Sequence, residues 1–312
     1  MDIVESLESR RDLLGLVCPS CKQPELAAKV SGYDCVGCSQ RFPMLGGFPD
    51  LIVGERFDDD SDETLLRYEE QSNADLTRGY WQPMFKRMFA GQKGVPRLLS
   101  VGCGTGVDVD MLRTEGYDSV GIDCGNRTSV WPHRTHAERL LLANGKHLPF
   151  EDNSFDAAFC GCVFPHVGVV GDTNMTAMDV DHQRLCLAKE MVRVLRPGGH
   201  IIVSSPNRWF PLDIFHGRTP GSYKPRLNLP NSRFLLSISD YERLFRSAGT
   251  GRATALPVEN YWGFIRSRNS VKGMLFGMPI RFIFWLVSRP GMGALRGSPI
   301  SPWLVVTLQK GK

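Results

Sequence analysis

The 312-residue sequence predicts an α/β fold, in which a mostly parallel sheet carries helices and is preceded by a small metal-held module. Between residues 96 and 206, short apolar runs alternate with helical segments, which is the pattern of a parallel sheet. Upstream of this region, residues 1–53 contain two Cys-x-x-Cys pairs. We therefore expect a metal-held module at 1–53, a linker and helical lid at 54–95, and an α/β domain at 96–312 with a hydrophobic, basic insertion at 261–300.

The α/β pattern consists of apolar strands with helices between them. Strands are expected at 97–101, 119–123, 140–143, 155–160, 200–205 and 303–308. Helices are expected at 107–113, 187–195 and 239–247. The second helix should end in a turn at Arg196-Pro197-Gly198-Gly199, because proline cannot continue a helix and glycine tolerates the turn.

Charge is distributed unevenly along the chain. Residues 1–205 hold 21 Lys/Arg and 29 Asp/Glu, whereas residues 206–312 hold 16 and 4, and no acidic residue follows Glu259. This asymmetry indicates an anionic partner or surface for the C-terminal region. Residues 1–16 mix acidic and basic side chains without the apolar stretch of a secretory signal. We therefore expect a cytoplasmic protein whose paired cysteines bind metal rather than form disulfides.

A nucleotide-cofactor site is indicated by segment 98–106, an apolar strand that runs into the turn Gly102-Cys103-Gly104-Thr105-Gly106 and then into a helix. Glycines let the backbone approach a ligand without a Cβ clash, and the helix N-terminus offers unpaired N–H groups. The next strand ends at Asp123, where a carboxylate can accept hydrogen bonds from both hydroxyls of a ribose.

These residues resemble the class I S-adenosylmethionine-dependent methyltransferase family, specifically the subgroup that acts on small molecules and lipids. The resemblance covers residues 96–206 and rests on the glycine turn, Asp123, the Leu-Pro-Phe…Ser-Phe-Asp segment 148–156 and the helix and turn at 190–199. It implies a Rossmann-like sheet and S-adenosylmethionine as the cofactor. Asn144 stands where family members usually carry an aspartate near the adenine, and its amide can still hydrogen-bond the ring. The implied cofactor-binding residues are Gly102, Cys103, Gly104, Thr105, Gly106, Asp123, Cys124, Asn144, Gly145 and Cys160.

An NAD-binding Rossmann domain uses the same strand, turn and acid, and is the alternative for this site. Its fingerprint needs a third glycine at the position of Val107, and a second mononucleotide-binding half after the fifth strand. This sequence has neither, so a methyl donor is favoured over a dinucleotide.

The two cysteine pairs, Cys18-Pro19-Ser20-Cys21 and Cys35-Val36-Gly37-Cys38, are separated by thirteen residues. Two such pairs can supply four thiolates to one tetrahedral Zn²⁺, and a closed four-thiolate shell leaves no open position for catalysis. We expect a structural zinc ribbon in which all four cysteines are ligands. Together with residues 41–52, the segment resembles the small zinc-ribbon partner proteins that support some methyltransferases. A redox-active cysteine pair is the alternative.

The acceptor side offers three candidate general bases. His166 follows the fourth strand, where the family often has a histidine facing the cofactor pocket, and Asp181 and His182 are second candidates. Segment 204–211 is similar to a Pro-Asn-Arg-x-Phe-Pro stretch in family members that methylate sugar, quinone or lipid-linked acceptors. It lacks the Asn/Asp-Pro-Pro-Tyr signature of exocyclic amine methylation. We expect O-methylation of a small-molecule, glycosylated or lipidic metabolite, with C-methylation left open.

Two other functions stay open at this point. An rRNA or tRNA base methyltransferase is one, because some of those enzymes also carry an N-terminal zinc ribbon, although their second pair tends toward Cys…His. A non-catalytic scaffold with the same fold is the other, and the intact glycine turn argues against it. Segment 270–289 is apolar but interrupted by Lys272, Pro279 and Arg281. It predicts either peripheral contact with an anionic membrane or a helix pair that roofs the acceptor pocket.

Overall fold

The computed structural model describes residues 3–56, 63–125, 127–169, 175–213, 226–229, 232–261 and 271–312, with the side chains at 64, 65, 226 and 271–276 excepted. Residues 57–62 of the predicted linker and residues 262–270 of the predicted insertion, among them Arg266 and Arg268, lie outside the described residues, as does the side chain of Lys272.

The N-terminal region is a helix followed by an antiparallel meander. Its elements are α1 (Ile3–Leu14), β1 (Leu26–Lys29), β2 (Gly32–Cys35), β3 (Arg41–Leu45) and β4 (Phe48–Leu51). Gly32 has a φ of +130°, and a Cβ at this position would lie 2.0 Å from the carbonyl oxygen of Phe42. Glycine is therefore required where β2 and β3 approach each other. The Tyr33 hydroxyl donates to the Leu7 carbonyl at 2.6 Å, which fixes α1 against the meander.

A helical segment joins this region to the central sheet. It consists of α2 (Glu63–Leu76), the π-helical turn Thr77–Trp81 and α3 (Gln82–Met88). Trp81 and Phe85 are buried against Phe159 of the central sheet, at ring-centroid distances of 5.3 and 5.1 Å. This aromatic packing holds the segment across one face of the sheet.

The central sheet contains the six strands that the sequence predicts, which are β5 (Arg97–Val101), β6 (Asp118–Asp123), β7 (Leu140–Ala143), β8 (Phe155–Gly161), β9 (Leu195–Pro206) and β13 (Trp303–Gln309). It also contains β12 (Thr254–Ala255), which the sequence analysis did not predict. Strands β5 to β9 run parallel, and β13 is antiparallel to β9. The main helices are α4 (Val107–Thr114), α5 (Val180–Val194), α6 (Ile238–Arg246) and α7 (Val271–Ser288). A separate pair is formed by β10 (Leu212–Asp213) and β11 (Arg226–Leu227).

The meander and the central sheet form one continuous sheet. Strand order is β1-β2-β3-β4-β7-β6-β5-β8-β9-β13-β12 among the described residues. The join is a parallel pairing of β4 with β7, in which Asp50 and Leu51 lie opposite Leu142 and Ala143. The N-terminal module therefore forms an extension of the α/β sheet, which the sequence does not indicate.

Residues 196–199 do not form the separate turn between helix and strand that the sequence predicts. Helix α5 ends at Val194 as the proline requires, but β9 begins at once and includes these residues. Opposite β8 the register passes from Phe155–Leu195 to Ala157–His200, so the extra residues form a bulge in the strand. Gly198 has a φ of +78°, a conformation that favours glycine. Within the described ranges, no helix is long and apolar enough to cross a membrane.

Candidate cofactor and acceptor site

A cavity of about 770 Å³ lies at the carboxyl ends of the parallel strands. This is the edge at which open α/β sheets bind ligands, and the volume falls in the usual range of roughly 300–1,000 Å³. One end is formed by the glycine turn and the ends of β6 and β7, and the other by the end of β8 and the loop that follows it. The helical segment closes the cavity from above with Glu69, Asn73, Leu76, Thr77 and Trp81.

The glycine turn needs its glycines for steric reasons. Gly102 has a φ of +74°, and a Cβ there would lie 2.5 Å from Cγ2 of Val163. Gly106 has a φ of +75°, and its Cβ would lie 2.6 Å from Cδ1 of Leu140. Gly102, Cys103 and Gly104, which are predicted to bind the cofactor, line the cavity. Thr105 and Gly106 are buried behind it and shape the turn rather than the cavity wall.

Asp123 lies at the end of β6 and lines the cavity. One carboxylate oxygen accepts the N–H of Gly104 at 2.9 Å, and the other accepts the N–H of Gly125 at 2.8 Å. Each oxygen keeps a second lone pair, so the carboxylate can still accept two hydroxyl hydrogen bonds. This geometry fits a ribose. Cys124 and Gly145, also predicted to contact the cofactor, line the same end of the cavity.

Asp108 is a buried carboxylate in the first turn of α4, and sequence reasoning missed it. It lines the cavity together with Ser100, whose hydroxyl donates to the carboxylate at 2.5 Å. Burial raises the pKa of the Asp108 carboxyl to about 6. The sequence signal was an acid placed between Val107 and Val109 on a helix that packs against the sheet. A buried carboxylate that faces a ligand cavity can interact with a cationic group of that ligand.

Asn144 lines the cavity, but its amide is engaged by the N-terminal region. Its N–H groups donate to the carbonyls of Val53 and Glu55 at 3.3 and 3.2 Å, and its oxygen accepts the N–H of Lys146 at 3.0 Å. The donors that we expected to face the adenine are thus already paired, and only a lone pair of the Asn144 oxygen is left. The Lys146 ammonium meets the Glu55 carboxylate at 2.8 Å.

A second contact joins the N-terminal region to the glycine turn. The Trp131 indole N–H donates to the Gly104 carbonyl at 2.9 Å, and the Trp131 ring packs edge-on against Phe48 of β4 at 5.1 Å. Trp131 is fully buried. The position of the glycine turn therefore depends on the packing of β4.

The other end of the cavity is more apolar and includes His166. The described lining here consists of Phe159, Gly161, Cys162, Val163, His166, Val167, Gly168, Val169, Ala177, Gln183 and Leu187. The turn Phe164–His166 is fixed by Arg184, a buried residue that donates to the carbonyls of Phe164 and Pro165 at 3.0 and 3.1 Å. The His166 ring lies edge-on to Phe234 at 5.8 Å. His166 is the predicted base that the structure places in the cavity.

The structure places three predicted site residues elsewhere. Asp181 and His182 are exposed in the first turn of α5, because Val180 and Arg184 point into the protein and these two side chains face away from it. Asp181 instead meets the Arg233 guanidinium at 2.6 Å. Cys160 is buried in the core on the opposite face of β8 from Phe159 and Gly161, because side chains alternate along a strand. Its place in the cavity is taken by Cys162.

The four cysteines of the N-terminal region form one cluster. The sulfur atoms of Cys18, Cys21, Cys35 and Cys38 all lie within 4.8 Å of one another. Cys18 and Cys38 are 3.7 Å apart at sulfur, and Cys21 and Cys35 are 3.6 Å apart. A tetrahedral Zn²⁺ with Zn–S bonds of about 2.3 Å requires sulfur atoms about 3.8 Å apart. The cluster therefore fits a small zinc-binding module.

The two cysteine pairs lie on turns of the same geometry. The N–H of Lys22 donates to the Cys18 carbonyl at 2.8 Å, and the N–H of Ser39 donates to the Cys35 carbonyl at 3.0 Å. Lys22 and Ser39, which directly follow the second cysteine of each pair, have φ values of +64° and +60°. Left-handed backbone costs energy in both residues, and two identical strained turns are what a shared metal would stabilise. The Lys22 ammonium also meets Glu190 of α5 at 2.7 Å, so this module packs on the α/β domain.

Comparison with known proteins agrees with this site. Residues 99–203 match the family described as methyltransferase domain. An uncharacterized methyltransferase of Mycolicibacterium gilvum is 30% identical over 194 residues, which cover 54% of this chain and 69% of that protein. Glycine N-methyltransferase of Rattus norvegicus is 30% identical over 131 residues (37% of this chain, 42% of that protein). A probable tRNA methyltransferase 9B of Mus musculus is 27% identical over 130 residues (41% of this chain, 26% of that protein).

The chain spans less than half the length of the last two relatives, and their names cover both small-molecule and RNA acceptors. The matched region contains the glycine turn, Asp123 and the apolar end of the cavity around His166. The match to the Mycolicibacterium gilvum protein extends over most of that protein. The chain therefore belongs to the class I S-adenosylmethionine-dependent methyltransferase family.

Proposed function

We propose that the chain transfers a methyl group from S-adenosylmethionine to an oxygen of a small, largely apolar acceptor, with a carbon acceptor left open. The observation that carries this proposal is a cavity with Asp123 and the glycine turn at one end and a largely apolar lining at the other. Such a cavity can hold a cofactor and a small acceptor side by side.

The residues present fit the cofactor. Asp123 would accept hydrogen bonds from the ribose hydroxyls of the cofactor. The turn at Gly102 and Gly104 would lie against the cofactor, and Asp108 would face a cationic group of the cofactor. S-adenosylmethionine supplies an electrophilic methyl group when bound. The chain's own task is then to align the acceptor and exclude water. The helical segment supports exclusion, because Leu76 and Trp81 cover the cavity and Glu69 is tied across it to Arg127 at 3.1 Å.

His166 would take a proton from an acceptor hydroxyl. It lines the apolar end of the cavity, and Arg184 fixes the backbone turn that presents it. A positioned base contributes roughly 10²–10⁴-fold to a rate. Replacement by glutamine should therefore lower the rate by about that factor while leaving the affinity for S-adenosylmethionine unchanged.

The cysteine cluster would hold one Zn²⁺ in a structural role. It offers four ligands of one type, which is the composition of closed sites. We infer that the metal stabilises the meander and, through β4, the contacts that Phe48 and Val53 make with the α/β domain.

RNA methylation and a non-catalytic role are the alternatives. The purified protein would be incubated with methyl-labelled S-adenosylmethionine and either the small-molecule and lipid extract of cells or their total RNA. Label in the small-molecule or lipid fraction is expected. Label confined to RNA would overturn the proposed acceptor, and cofactor binding without transfer to either fraction would favour the scaffold.

His166 is tested with the acceptor fraction so identified. His166→Gln is compared with His133→Gln, which changes an exposed histidine outside the cavity. If His166 acts as the base, the reaction rate of the parent enzyme should fall at low pH. The rate of His166→Gln should not show this pH dependence. If His166→Gln instead kept the parent rate and pH profile, the histidine would be only part of the cavity wall.

A further inference from the structure

Among the described side chains of helix α7 (Val271–Ser288), those of residues 277–288, one apolar face is buried in the fold and another is exposed. Phe284 and Val287 are buried in the cluster that contains Trp81, Phe159 and Tyr261. Trp81 and Phe159 also line the cavity. The buried face of α7 therefore supports the wall of the cofactor and acceptor site.

The other face exposes large apolar side chains in a row. Met278, Phe282 and Trp285 are spaced by four and three residues, so they lie on one side of the helix. They are 60%, 60% and 44% exposed, and the rings of Phe282 and Trp285 stack at 5.7 Å. Contiguous exposed apolar groups of this kind mark an interaction surface rather than ordinary surface variation.

Two described arginines border this row, and no Asp or Glu follows Glu259 in the sequence. Arg281 is exposed on α7, and the Arg289 guanidinium lies 5.0 Å from the Trp285 ring centroid while it also pairs with Glu259. An apolar row bordered by arginines is the composition of a helix that lies in a membrane interface.

We propose that the exposed face of α7, formed by Met278, Phe282 and Trp285, docks the protein on an anionic lipid bilayer, with the helix lying in the plane of the interface. A crossing orientation is disfavoured because 18 residues span only about 27 Å, and because Pro279 and Arg281 interrupt the helix. A second copy of the chain is a poorer partner, since it would bring two basic regions together. Anionic headgroups complement the positive charge of the arginines beside the row.

The test is sedimentation of the full chain with phosphatidylcholine vesicles, with or without phosphatidylglycerol. Binding is expected to the vesicles with phosphatidylglycerol at low salt and to decrease at high salt. The double variant Phe282→Ser/Trp285→Ser should bind these vesicles about tenfold more weakly or worse. The control Val30→Ser/Val95→Ser changes two equally exposed apolar residues elsewhere and should bind like the parent.

Two measurements on the double variant separate docking from misfolding. Its affinity for S-adenosylmethionine and its unfolding temperature should match those of the parent, because the substituted face makes no use of the core. The proposal is overturned if the parent stays in the supernatant with anionic vesicles, or if the double variant sediments as the parent does. It is also overturned if the double substitution instead abolishes binding to RNA or dissociates a dimer detected by light scattering.

Discussion

Asp123 offers the sharpest test of the cofactor site, through the isosteric change Asp123→Asn. The carboxylate accepts backbone N–H groups from Gly104 at 2.9 Å and from Gly125 at 2.8 Å. Asparagine has one acceptor oxygen, so one of these N–H groups would face an NH₂ group. An unsatisfied, part-buried N–H costs about 1–3 kcal/mol, and each lost charge-assisted hydrogen bond to a ribose hydroxyl costs about 1.5–3 kcal/mol.

These two costs appear in different measurements. The backbone cost lowers the stability of the unliganded protein, with a drop in Tm on the order of a few degrees. The ribose cost lowers affinity by roughly ten- to a hundredfold. Calorimetric titration with S-adenosylmethionine and S-adenosylhomocysteine measures the second effect, and both ligands should weaken equally because they share the ribose. Asp12→Asn, in an exposed acid of α1, is the control.

Parent-like affinity of Asp123→Asn for both ligands would show that the carboxylate does not contact the ribose. Selective loss of S-adenosylmethionine binding alone would place the carboxylate near the sulfonium instead. Either result refutes the assignment made from the geometry of β6 and the glycine turn.

Two further predictions concern other parts of the molecule. Elemental analysis should find about one zinc per chain. Cys38→Ser should lose the zinc and unfold at a lower temperature, because metal binding supplies folding free energy. The prediction would be contradicted if removal of the metal from the parent protein left its stability unchanged. The pKa of Asp108 is raised by burial to about 6, so the folded protein keeps this proton to higher pH than the unfolded chain. The stability of the parent should therefore decrease between about pH 4 and pH 6 by on the order of 3 kcal/mol, and Asp108→Asn should remove that decrease in thermal unfolding measured across this range.

The sequence alone determined the features that are encoded within short segments. The six predicted strands are all present, as are the glycine turn and Asp123, and the helix before Pro197 ends within one residue of its predicted end. That helix begins at Val180, seven residues before its predicted start, and β9 begins at Leu195, five residues before its predicted start. The four cysteines are likewise brought together as their spacing predicts. These features depend on local backbone preference, apolar periodicity and steric demand, which neighbouring residues specify.

Only the tertiary structure decided how these segments meet. The pairing of β4 with β7 joins residues about ninety positions apart, and no local preference selects a partner strand at that separation. That pairing occupies the amide of Asn144 and links Phe48 to the glycine turn through Trp131. The rotation of each helix about its axis is also set by packing. It turns Asp181 and His182 to solvent, points Asp108 into the cavity, and leaves one apolar face of α7 exposed, because the burial of one side of a helix fixes where every other side chain points.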